Sequence, residues 1–125
     1  MKRIITAMLC VVMALCMFGC GQSNEEKYTV LKNEVLTAMT SVEKINKELG
    51  SVALSKKEIP RVQKACDELK PFAKTIETKM KEMKEISKKD LKLTNDFTDF
   101  EHDMNVKIKL YITRKESVLE RLKKL

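Results

Sequence analysis

Reactive side chains are sparse in this sequence, and their spacing limits what they can do. There are four cysteines and one histidine in 125 residues. Cys10 and Cys16 lie inside an apolar run near the start, Cys20 follows it, and Cys66 is the one thiol in the charged remainder. Cys66 falls in register with apolar neighbours at helical spacing, which suits a small buried hydrophobe better than a redox centre or an intermolecular bridge. Asp96, Asp99 and Asp103 recur at steps of three and four, so a helix carries them on one flank, with His102 pointing elsewhere. Calcium normally draws its oxygens from a turning loop, which a straight helix does not provide. These carboxylates therefore read as solvated charges, and no metal or other cofactor is expected. A single histidine, no glycine-rich phosphate loop and no metal-spaced cluster of His and Cys leave little for catalysis, so the chain reads as non-enzymatic.

Charge supplies the more usable chemistry. The formal net charge is +7, from 25 basic and 18 acidic side chains. Residues 50–93 hold 12 of the basic and 7 of the acidic ones. On a helix through this stretch Lys70, Lys74, Lys81 and Lys88 project within one narrow sector, a candidate contact for anionic lipid headgroups or wall polymers. Asp67, Glu77 and Glu85 sit among them, which is equally the pattern of a solubilising face. Nucleic acid is not an expected partner, because the basic residues lack an aromatic platform. Met39, Met80, Met83 and Met104 fall on or next to apolar stripes, where they suit core filling better than a binding groove.

The elements that must position these residues are helical. Three glycines, two prolines and no tryptophan, with 34% charged and 43% hydrophobic residues, favour apolar stripes between solvated faces over a small sheet. Tyr28, Leu31, Val35, Ala38, Val42, Ile45 and Leu49 alternate steps of three and four, the seam of a helix packed on other helices, and Gly50 suits its C-terminal cap. A second seam runs Val62, Cys66, Leu69, Ala73, Ile76, Met80 and Met83. It starts either near Pro60, whose fixed φ fits a first helical turn, or at an earlier capping box of Ser55 and Glu58. Pro71 interrupts this seam and predicts a kink or break between Leu69 and Phe72. The third seam reads Leu93, Phe97, Phe100, Met104, Ile108, Tyr111, Val118, Leu122 and Leu125, widened by Ile112 and Leu119. The expected fold is all-α, an antiparallel three-helix bundle, with a long helical hairpin that dimerises as the rival.

The first twenty residues have a different character. Lys2 and Arg3 precede an apolar run of 15 residues, 4–18, and Gly19-Cys20-Gly21 follows. That is the charged, apolar and small-residue order of a secretory signal, and the run is shorter than the roughly 20 residues that span a bilayer core. Met17-Phe18-Gly19-Cys20 resembles the bacterial lipoprotein signal, whose lipobox ends in a small residue and then cysteine. Cys10 and Cys16 each follow a leucine, where that family has a small side chain. The resemblance implies cleavage before Cys20, a diacylglyceryl thioether on its sulfur and a further acyl chain, such as palmitate, on its amine. In that mature form Cys66 is the sole unmodified thiol, and no internal disulfide forms. Ordinary secretion after Gly19 or Gly21, or an uncleaved membrane anchor, are the alternatives, and all three put the remainder outside the cytoplasmic membrane.

The implied organisation is a signal peptide at 1–19, a lipidated cysteine and tether at 20–24, and a helical domain at 25–125. The chain shares a general look with small helical lipoproteins, including the cell-wall-binding type of Gram-positive bacteria: a Cys-Gly tether followed by Lys- and Glu-rich helices. The expectation is an envelope lipoprotein with an interaction or spacer domain, held at the membrane by Cys20 and able to meet an envelope protein, an anionic polymer or a second copy of itself. The alternatives are a binding protein for anionic wall polymer or lipid acting through the lysine strip, and a secreted adaptor or inhibitor that grips a protein partner.

Overall fold

Ser23 opens the first helix. Its hydroxyl accepts a hydrogen bond from the Glu26 amide at 3.2 Å, satisfying one of the donors that a helix start leaves without a partner. The computed structural model describes residues 23–125, so the signal peptide, Cys20 and most of the proposed tether lie outside the described residues. Helix α1 spans Asn24–Leu49, beginning at a residue that the sequence assigns to the tether. The signal for that start, Ser23-Asn24-Glu25-Glu26, has the spacing of a capping box.

A 3-10 turn at Lys56–Glu58 leads into α2, Ile59–Ser87, so the helix starts by Pro60, and the earlier capping box does not form because the Glu58 carboxylate pairs with Arg61. Ser55 caps the 3-10 turn by accepting from the Lys57 amide, and Pro60 sits in the first turn of α2. Helix α3 spans Leu91–Ile108 and α4 spans Arg114–Lys123, joined without interruption by a π turn at Lys109–Thr113. The described chain is therefore three rods of helix without strands, packed up, down and up as an antiparallel three-helix bundle.

All seven seam residues of α1 are buried, and Met39 with them. They pack against Leu69, Phe72, Ile76, Met80 and Met83 of α2 and Leu93, Phe97, Phe100 and Met104 of α3 to form the main core. The break expected at Pro71 does not occur, since α2 runs through it. Pro71 is exposed, so the Asp67 carbonyl that loses its partner faces water, while buried Leu69 and Phe72 hold the turn against the core.

The third rod departs from its expected seam in its second half. Ile112, Leu119 and Leu122 are buried, Tyr111 and Val118 only half so, and Leu125 is exposed. The π turn accounts for this: the Arg114 amide donates to the Lys109 carbonyl, five residues back, which absorbs one extra residue and rotates the inward face. Leu119 and Leu122 then meet Val62 and Cys66 of α2 in a separate small core. Asn46 of α1 supports the turn by donating its amide to the Tyr111 carbonyl at 3.1 Å and to the Val42 carbonyl at 3.0 Å.

Two further contacts fix the register of α1 and α2. Arg61 donates to the carbonyls of Leu49 and Ser51, capping the end of α1, and pairs with Glu58. Gly50 between them has φ +64°, and no atom lies within 4 Å of where a Cβ would be, so its requirement for glycine is conformational rather than steric. Deeper in the interface Lys79 Nζ lies 3.1 Å from Glu34 Oε2, with the two residues 9% and 5% exposed. Removing one member of such a pair strands a desolvated charge. Glu34→Ala is expected to cost about 3 to 5 kcal/mol by denaturant unfolding, whereas Glu34→Leu with Lys79→Met recovers most of that loss.

Candidate functional site

The lysine strip keeps its geometry because α2 is unbroken. Lys70, Lys74, Lys81 and Lys88 are all exposed. Their charge, however, is largely answered on the same helix: Lys70 lies 3.5 Å from Asp67, Lys81 3.4 Å from Glu77 and Lys88 3.0 Å from Glu85. Exposed pairs at this spacing are worth only tenths of a kcal/mol, but they set a carboxylate beside three of the four lysines and so lower the net charge that the strip presents.

Asp96, Asp99 and Asp103 border one cleft, and His102, expected to point elsewhere, borders it too, but no cluster of three or more metal-binding side chains occurs among the described residues. Asp96 stays exposed and pairs with α1. Its carboxylate accepts from the Tyr28 hydroxyl at 2.6 Å and from Lys32 Nζ at 3.0 Å, and Lys32 also lies 5.3 Å from the centroid of the Phe100 ring. The bond from Tyr28, followed by that from Lys32, holds the Asp96 carboxyl below its ordinary value of 3.8. Burial, and then the bond to Asp96, raises the Tyr28 hydroxyl above its ordinary value. The sequence placed Tyr28 on the seam and Asp96 on a polar flank; only the packing of α1 beside α3 joins them.

Cys66 is buried and free, lodged between Val62 and Leu119. Burial, with Glu116 as a lesser cause, pushes its thiol up, away from the reactive thiolate. Met39, Met80, Met83 and Met104 are all buried in the core, and Met104 also borders a surface cleft between α1 and α3.

Open clefts mark the surface of the described residues. One of about 740 Å³ lies between α1 and α3, lined by Leu36, Phe100, Met104 and Val106 with Asp99, His102 and Asp103 among its polar residues. Another, of about 540 Å³, lies where the end of α1 meets the π turn, and Asn46, Lys47, Tyr111, Arg114 and Lys115 line it. The third, of about 500 Å³, is on α4 beside Arg121 and Lys124. Sequence spacing missed the second because its cations come from two helices and converge only through the π turn. Lys47, Arg114 and Lys115 make no ion pair among the described residues. The carboxylate lining that cleft, Glu43, is held by Lys107 at 3.0 Å.

Two outcomes test these environments. A carboxylate held below its unfolded value stabilises the fold above that value and loses its contribution as pH falls through the folded one. The stability gap between the native chain and Asp96→Asn should therefore be present near neutrality and close below about pH 4, read as melting temperature against pH. Cys66 should resist a thiol-directed reagent in the native state and react within minutes in denaturant; rapid native labelling would show that α4 does not cover it.

No protein-family model, curated protein or solved structure matches this chain, so its own residues are the guide to its function.

Proposed function

We propose that the chain is a membrane-anchored envelope lipoprotein whose helical bundle is a non-enzymatic interaction or spacer module on the outer side of the membrane. The observation that carries this reading is the sequence Gly19-Cys20 after a basic start and a 15-residue apolar run, with a helix whose cap, Ser23, comes only three residues later. Three residues of chain reach at most about 10 Å, which bounds how far Ser23 can lie from Cys20. A lipid on Cys20 would therefore keep the start of α1 close to the headgroups. With 26 residues, α1 would carry the far end of the bundle about 39 Å outward.

Two acyl chains supply the anchorage that one would not, since each buried methylene contributes about 0.8 kcal/mol. No helix of the described residues is long and apolar enough to cross a membrane, and in this reading attachment falls to the lipid. A released adaptor working through a methionine-lined groove has less support, because those methionines are core residues.

Intact mass and N-terminal peptide analysis of the protein recovered from membranes tests the reading. The expected product begins at Cys20 with its acyl groups, and a Cys20→Ala variant loses them and leaves the membrane fraction. A free N-terminus at Gly21 or Gln22, or an intact Met1, would overturn the lipoprotein reading.

A further inference from the structure

The fold sorts charge in a way that the linear sequence hides. Contacts between Tyr28 and Asp96, Glu34 and Lys79, Glu43 and Lys107, and Leu49 and Arg61 fix which residues share a level along the bundle. A cut through the middle of α1 at that register separates residues 23–36 and 76–102 from residues 37–75 and 103–125. The first end holds 8 basic and 10 acidic side chains, the second 15 and 8. A net charge of −2 at the end bearing Ser23 thus faces a net charge of +7 at the other. The predicted lysine strip straddles the cut, with Lys70 and Lys74 on one side and Lys81 and Lys88 on the other.

At the positive end three cations without an ion pair also come together. Lys47, Arg114 and Lys115 share a cleft without an ion pair, whereas Arg121 and Lys124 line another in which Glu116 and Glu120 balance them. The carbonyls at the end of α1, which would repel an anion, are capped by Arg61. Exposed Leu54, Val106, Leu110 and Leu125 of this end are spread over the α1–α2 connection, α3, the π turn and the residues after α4, among the cations rather than apart from them. Indentations lined by flexible cations suit a narrow charged chain that can follow them and release its counterions.

We propose that this end of the bundle binds a linear polyanion of repeating phosphates, with Lys47, Arg114 and Lys115 as its contact residues. The surface exists with or without a lipid on Cys20; only its direction, away from the membrane, rests on the lipoprotein reading.

The test titrates the full chain with poly(glycerol phosphate) at low and high salt and compares two charge reversals of equal size. Lys47→Glu with Arg114→Glu should weaken binding by about tenfold or more, and Lys81→Glu with Lys88→Glu by no more than about twofold, with steep loss in salt for the native chain. Equal losses in the two variants would reduce the effect to net charge and overturn the proposal, as would the absence of saturable binding. Should the first variant fail to fold by circular dichroism, Lys47→Gln with Arg114→Gln takes its place under the same criterion. Vesicles of phosphatidylglycerol and phosphatidylcholine at one to three serve as a further arm: binding to them in preference to the polymer would overturn the choice of ligand. Measuring the Cys20→Ala chain alongside separates the two readings, since equal affinity supports the site even if the anchor is disproved.

Discussion

Burial of the α1 seam between the other two rods is the constraint on which the remaining structure depends. From Tyr28 to Leu49 the inward face of α1 is closed over by α2 and α3, which sets the level at which every side chain of those helices stands. The Glu34–Lys79 pair reinforces that register rather than the stability as such. A buried ion pair rarely outweighs the cost of removing two charges from water, but sliding the helices by one turn would strand both. Arg61 at one end and the Tyr28–Asp96–Lys32 group at the other hold the same alignment with groups that water still reaches.

The three rods and most of the core were legible because steps of three and four need no tertiary knowledge to interpret. What the sequence concealed were features whose cause lies in another element. Pro71 looks like a break when α2 is considered alone, yet its lost hydrogen bond falls on the solvent side and costs little there. The π turn has no signature in its own residues; it is stabilised by the Asn46 amide reaching across from α1. Once that turn is in place, Ile112 and Leu119, expected only to widen the stripe, join Leu122 on the inward face, while Tyr111 and Val118 are half-buried and Leu125 is exposed.

The same distinction separates the visible part of the candidate site from the hidden part. Lys70, Lys74, Lys81 and Lys88 align by simple helical geometry, and the carboxylates that answer three of them are their own neighbours at three or four residues, readable in the sequence with equal ease. Lys47, Arg114 and Lys115 are more than sixty positions apart between the first and the others. Their convergence depends on α1 and the third rod running in the same direction and on the rotation at the π turn.

The division of the interior into a large core and a small one has an energetic corollary. Four buried side chains, Val62, Cys66, Leu119 and Leu122, hold α4, whereas nineteen form the main core. Local opening follows the least buried contact, so the α4 end is the part of the bundle that can fray while the rest stays closed. Mutual repulsion among its cations acts in the same direction. An anion bound there would relieve that repulsion and favour the closed form, tying occupancy of the surface to the rigidity of the helix that bears it.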